Sequence, residues 1–141
     1  MKKFAVLLMA LMMLLLPVTL CFTSCSGGID TDKAKEHIIS FLTEVREGDF
    51  DGAKEHLHPS FNDDIEKYFN AVESAYRVDF QSGITVLRNT NIYISMYDSR
   101  YNGSGYELTM DIEVSGDELE ITVVVVENDI GYGVYYIEID D

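Results

Sequence analysis

The stretch LTMDIEVSGDELEITVVVV, residues 108–126, decides the fold. Leu108, Met110, Ile112 and Val114 alternate with polar side chains, and Leu119, Ile121, Val123 and Val125 repeat the pattern after a short polar interruption. Period-two alternation on both sides of a turn describes a hairpin with one buried face. With Gly116-Asp117 as a two-residue turn, glycine first as a type II′ turn prefers, Val114 faces Leu119, Ile112 faces Ile121, Met110 faces Val123 and Leu108 faces Val125. The opposite face then sets Glu113 against Glu120, Asp111 against Thr122, Thr109 against Val124 and Glu107 against Val126. A slip of one residue would turn every apolar partner to the wrong side, so the pattern predicts this register. Residues 123–126 are apolar on both faces, which predicts a central strand covered on both sides over that length.

Working outward, residues 128–133 form a turn, and a last strand runs from Val134 to Asp140 with Tyr135, Ile137 and Ile139 inward. Upstream, Ile92, Ile94 and Met96 alternate with Tyr93, Ser95 and Tyr97, which predicts a half-buried strand continuous with residues 84–87 through a kink at Arg88 and Asn89. A loop containing Asn102-Gly103 joins it to the hairpin. Before residue 80 the period changes. Ala34, Ile38, Phe41, Leu42 and Val45 draw one stripe along a helix that Thr31 or Asp32 can cap and Gly48 ends. Asp49 caps a short second helix with Phe50, Ala53 and Leu57 on one side, stopped by Pro59. A third follows with Phe61, Ile65, Phe69, Val72 and Tyr76 or Ala75 on one face. Helices followed by an antiparallel meander predict an α+β fold, with three N-terminal helices packed on a curved antiparallel sheet.

The N-terminus reads differently. Lys2 and Lys3 precede a run from Phe4 to Leu20 that is apolar except for Thr19 and interrupted by Pro17, the pattern of a secretory signal. An uncleaved anchor is the alternative, although the run is short of the about 20 residues a spanning helix needs. Thr23-Ser24-Cys25, followed by Ser26-Gly27-Gly28, resembles the lipobox of bacterial lipoproteins, with Phe22 where that family usually has Leu. The resemblance implies a signal peptide at 1–24, a lipidated Cys25 with a short linker to residue 30, and one domain over 31–141. It also implies a location on the extracytoplasmic face of the cell membrane, held by the lipid.

The two cysteines, Cys21 and Cys25, both precede residue 26, so residues 26–141 can form no disulfide. The chain has 25 acidic and 10 basic side chains, and loss of Lys2 and Lys3 with the leader takes the formal charge from −15 to −17. So acidic a surface repels phosphates, which excludes a nucleic-acid partner.

The run Ala34…Phe41-Leu42…Gly48-Asp49-Phe50…Ala53…Leu57-His58-Pro59, with the ending Gly131-Tyr132-Gly133-Val134-Tyr135-Tyr136-Ile137, resembles small extracytoplasmic domains of the cystatin-like, nuclear-transport-factor-like group. The resemblance implies a cone whose concave sheet is closed by helices. It implies no activity, since that fold hosts isomerases, dehydratases, immunity proteins and binding modules.

His56 and His58 flank Leu57, and residues two apart on a helix diverge, so they read as polar neighbours of a core leucine rather than metal ligands. Glu113, Glu120 and Asp111 form an acidic cluster that reads as a solvated sheet face rather than a cation site. No acidic or histidine residue falls on an inward strand position, which leaves no tuned base and predicts neither an enzyme nor a cofactor. Tyr97, Tyr101 and Tyr106 surround the loop Asn102-Gly103-Ser104-Gly105, a composition suited to recognising a protein, peptide or small ligand, the alternative being that aromatic residues are simply good strand formers with their hydroxyls at the water edge. The expectation is a non-catalytic binding domain. A pocket enzyme of isomerase or hydrolase type and a toxin-neutralising immunity protein are its alternatives.

Overall fold

The computed structural model describes residues 27–141; the predicted signal segment and Cys25 lie outside the described residues. Asp30 opens the first helix by accepting from the backbone N–H of Asp32 (3.0 Å) and Lys33 (3.1 Å), so the cap falls just before the Thr31 or Asp32 that the sequence suggested. Helix α1, Thr31–Glu47, buries Ala34, Ile38, Phe41, Leu42 and Val45 and stops at Gly48, whose φ of 73° is the left-handed conformation glycine adopts without strain. Asp49 caps α2, Phe50–Glu55, through Gly52 N–H (2.9 Å), and Asp64 caps α3, Ile65–Tyr76. Phe61 precedes α3 and packs against the core from the connecting segment.

After a 3₁₀ turn at Phe80–Ser82, four strands follow: β1 Thr85–Asp98, β2 Gly103–Val114, β3 Asp117–Asn128 and β4 Tyr132–Asp140. They form one antiparallel sheet in the order β1-β2-β3-β4. The helices cover one face. Tyr106, Leu108, Met110, Ile112 and Val114 of β2, Leu119, Ile121, Val123 and Val125 of β3, and Val134, Ile137 and Ile139 of β4 join the helix side chains in a single core. At its centre the Phe69 ring meets Phe80 edge-on at 5.0 Å, with Phe41 at 6.2 Å. Each fully buried side chain of this size contributes about 1.5–3 kcal/mol.

The hairpin keeps the predicted faces but not the predicted partners. Val114 pairs with Asp117, Ile112 with Leu119, Met110 with Ile121 and Leu108 with Val123, a displacement of two residues that preserves sidedness. The two central turn residues are Ser115 and Gly116, both at positive φ (55° and 88°), rather than Gly116 and Asp117. Positive φ is uncommon for serine, and here contacts from outside the hairpin hold it: Ser115 Oγ accepts from Asp79 N–H (2.9 Å) and lies 3.0 Å from Ser82 Oγ. Residues 123–126 are buried throughout, as a central strand covered on both faces requires.

Three further expectations are corrected. Tyr135 is not inward: Val125 pairs with Val134 and Val124 with Tyr136, so Tyr135 is the extra residue of a bulge and Val134 takes the core position. The linker does not reach residue 30, because Ile29 is buried in the core and Asp30 is the cap of α1. The chain enters the domain at Gly28, whose Cα–H side faces Met96 of β1; a Cβ there would sit 2.8 Å from Met96 Sδ.

Finally, β1 is not half-buried. Its pairing with β2 places Ile92 opposite Leu108 and Ile94 opposite Tyr106, on the core face, yet Ile92, Ile94 and Met96 are all exposed. The helices cover β2 to β4 and stop short of the strand that the alternation alone assigned to the core.

Candidate functional site

Of the three loop tyrosines, the structure brings two near the surface and buries one. Tyr106 is fully buried among the core side chains, because its place opposite Val125 puts it on the helix-covered face; no partner can reach it, and it is removed from the recognition surface. Tyr97 is exposed and donates its hydroxyl to Asn102 Oδ1 (2.9 Å). Tyr101 folds back over the other face of the sheet, against Gly105, where an added Cβ would come within 3.2 Å of its ring. Its ring meets Tyr135 at 5.1 Å and lies under the Arg100 guanidinium at 5.0 Å. Arg100 in turn grips Asp98 with Nε at 3.0 and 3.1 Å and a terminal nitrogen at 2.6 Å, which holds the Asp98 carboxyl below its usual range. Burial pushes the Tyr101 hydroxyl up.

Tyr101 and Arg100 form one wall of an open concavity of about 410 Å³ on this outer face, with Glu107, Tyr135 and Glu138 among its lining. Two carboxylates and a guanidinium at its rim are exposed or only partly buried, and the depression opens away from the core.

The histidines do not converge. His58 is buried, accepts from Ser60 N–H through Nδ1 (3.0 Å) and sits with Nε2 3.1 Å from Asn128 Oδ1. His56 faces His37, whose Nε2–H donates to the His56 carbonyl (2.8 Å). Desolvation holds His37 below its ordinary pKa, with the nearby His56 and Lys33 acting the same way against that one hydrogen bond. Their common role is to join the chain after α2 to the last strand: Leu57 bridges Val134 in parallel, with His58 N–H to the Val134 carbonyl and Val134 N–H to the His56 carbonyl, both 2.8 Å. Sequence reading missed this joint and its hub Asn128. The Asn128 side chain also accepts from Ile130 (2.9 Å) and Gly131 (3.1 Å) and donates to the Tyr101 carbonyl (2.8 Å). Asn followed by Asp-Ile-Gly signals a turn, but not its distant partners.

The acidic cluster is rearranged by the register. Glu113 stands opposite Glu118 and Asp111 opposite Glu120. Asp111 is buried rather than solvated, and Arg88 of β1 lays its Nε against Asp111 Oδ2 at 2.5 Å, with Glu118 at 3.8 Å. The positive charge at this place is an arginine of the chain itself. Among the described residues no group of three or more His, Cys, Asp or Glu side chains is arranged to hold a metal ion, and no helix is long and apolar enough to cross a membrane.

What stands out is β1. Val86, Leu87, Ile92, Tyr93, Ile94, Met96 and Tyr97 are all about half exposed or more, on both faces of an edge strand. Between β1 and α1 a shallow groove of about 170 Å³ is lined by Ile39, Leu42, Ile84 and Val86. From Asn89 to Tyr97 the strand carries no charged side chain in a protein of net charge −15. Edge strands are ordinarily blunted by charge, proline or cover, and a monomer seldom exposes so many large apolar side chains in one place. Comparison with known proteins adds no relative to this description: no protein-family model, no curated protein and no solved structure matches the chain.

Proposed function

We propose that this chain is an extracytoplasmic lipoprotein, lipidated at Cys25 and held at the cell membrane, whose cystatin-like cone is a non-catalytic interaction domain working through β1. The uncovered, uncharged apolar edge strand carries the reading: its free backbone edge and exposed side chains are the surface a binding partner completes by strand addition. The route of the chain supports it. Because Gly28 lies on Met96 and Ile29 is in the core, only residues 25–27 separate the lipid from the domain. Three residues reach at most about 10 Å, so β1 works close to the bilayer.

Metabolic labelling with an alkynyl fatty acid tests the anchor: label is retained in Cys21→Ser and lost in Cys25→Ser. Equal labelling of both variants overturns the assignment. Affinity recovery of the tagged full chain from solubilised membranes tests the module. A stoichiometric partner is expected that Tyr93→Lys releases; binding indifferent to that substitution removes β1 from the function.

A further inference from the structure

We propose that β1 pairs with β1 of a second copy of this chain, antiparallel about a two-fold axis, to make one continuous eight-stranded sheet. The inference rests on the interaction-domain reading and names its partner.

Charge comes first. Two mature molecules of formal charge −17 repel each other almost everywhere, and the stretch from Asn89 to Tyr97 is where they can meet without bringing like charges together. An oppositely charged partner would instead be drawn to the acidic faces. The sequence of this stretch is also self-complementary. With the axis through Tyr93, Ile92 meets Ile94 and Asn91 meets Ser95 of the other copy, over the stretch Asn91–Ser95 in which β1 pairs with β2 without a register shift. In that register the centre of the seam carries no charge.

The area fits as well. The five large apolar side chains between Asn89 and Asp98, Ile92, Tyr93, Ile94, Met96 and Tyr97, each about half exposed or more, offer on the order of 500 Å² per copy, so that the pair buries about the 1,000 Å² a specific interface needs. The assembly closes at two, because the other edge, β4, is already bridged at Val134 by Leu57 and carries Glu138 and Asp140. Geometry suits two anchored chains. An axis perpendicular to the sheet keeps the helix-covered faces on the same side, so the two Gly28 positions, each at a Met96, emerge on one face about 20 Å apart. Both lipids can then enter one bilayer.

The test is thiol cross-linking of the full chain in native membranes, with Tyr93→Cys on the axis and Glu138→Cys on the far edge, using mild oxidation and a short bis-maleimide. The unsubstituted chain gives the baseline for adducts through Cys21 or Cys25. A covalent homodimer is expected from Tyr93→Cys at several times the yield from Glu138→Cys. Sedimentation of the detergent-solubilised chain should show a dimer that Tyr93→Lys dissociates, since that substitution places like charges on the axis. Raising salt from 50 to 500 mM should tighten the dimer several-fold by screening its net repulsion. Equal cross-linking at both positions, or a monomer at every salt concentration, overturns the proposal. If Tyr93→Cys is captured in an adduct with a different protein, the second copy is wrong while the interaction reading of β1 survives. If it forms no adduct and Tyr93→Lys changes no recovered partner, both fall.

Discussion

The two edges of the sheet are built to opposite specifications. At β4 the edge is bridged at Val134: Leu57 pairs with it in parallel, Val134 exchanges two 2.8 Å backbone hydrogen bonds with His56 and His58, and the inward residues Val134, Ile137 and Ile139 are buried in the core with the helix side chains. Its outward side carries Glu138 and Asp140. At β1 the inward residues Ile92 and Ile94 pair with fully or nearly buried partners, Leu108 and Tyr106, yet remain about half exposed themselves, and the outward Tyr93 is equally open. The comparison teaches that exposure at β1 is not a shortage of covering material. The same chain spends a connecting segment, a histidine joint and two carboxylates on one edge, whereas from Asn89 to Tyr97 the other edge carries no charged side chain.

The largest effect that can break this comparison is expected at the covered side. Ile121, fully buried between Met110 and Ile139, cannot accept a carboxylate without leaving an unpaired charge in the core, so Ile121→Asp should abolish cooperative unfolding in a thermal melt followed by circular dichroism. Gly133→Ala should come next. Its φ is 154°, and a Cβ would fall 2.6 Å from the His58 nitrogen and the Leu57 carbonyl carbon and 2.8 Å from the His56 oxygen, all of them backbone atoms. Forcing the bridge apart should cost about 3 kcal/mol in urea denaturation and should raise hydrogen exchange at Val134 and His58 first. A variant as stable as the parent would mean that the 56–58 bridge does not secure the β4 edge at Val134.

How far this asymmetry was legible depends on the range of the forces that set it. The helix stops at Gly48 and the cap at Asp49 depend on a few neighbouring residues and were readable, as were the two faces of the hairpin. The hairpin partners were not. Ser115 adopts φ 55° under the hold of Asp79 and Ser82, more than thirty positions away in sequence. Likewise Tyr135 was read as inward because alternation has no signal for a bulge. Ile92, Ile94 and Met96 have the pattern of a half-buried strand because period two reports which residues share a face. Whether a helix lies on that face is a tertiary fact, absent from the pattern. Tyr106 was misplaced for the complementary reason: proximity to a glycine-rich loop suggested exposure, whereas its register with Val125 fixed it in the core.

Two intermediate tests sharpen the contrast. Arg88 is the one basic side chain of β1, and it serves the interior by pairing with the buried Asp111. Arg88→Met should cost about 1–2 kcal/mol, since the carboxylate stays buried while the exposed guanidinium limits what the pair is worth. Chemical denaturation at neutral pH measures it. The histidine joint gives a pH signature. The folded-state pKa of His37 lies below the unfolded value of 6.5, so the unfolded chain binds the proton first. Stability from this group is therefore full above pH 6.5 and declines as pH falls toward the lowered folded value. His37→Gln should flatten that part of the stability curve while leaving the plateau above pH 7 nearly unchanged.

The smallest expected effect is the most informative. Tyr93 is half exposed, faces outward on β1 and lies opposite Glu107 of β2, so a lysine there meets an acidic cross-strand neighbour and buries no charge. At protein concentrations low enough to populate the monomer, Tyr93→Lys should shift unfolding free energy by no more than about 0.5 kcal/mol, in either direction. A comparable aromatic on the covered face, Tyr106, has no such freedom, being fully buried. If Tyr93→Lys destabilised the monomer by several times that amount, β1 would be part of the core after all and its exposure would have no bearing on binding. If instead stability of the parent rises with protein concentration and that of Tyr93→Lys does not, the apolar side chains of β1 contribute to stability only when a partner covers them, as mass action requires of a strand completed by association.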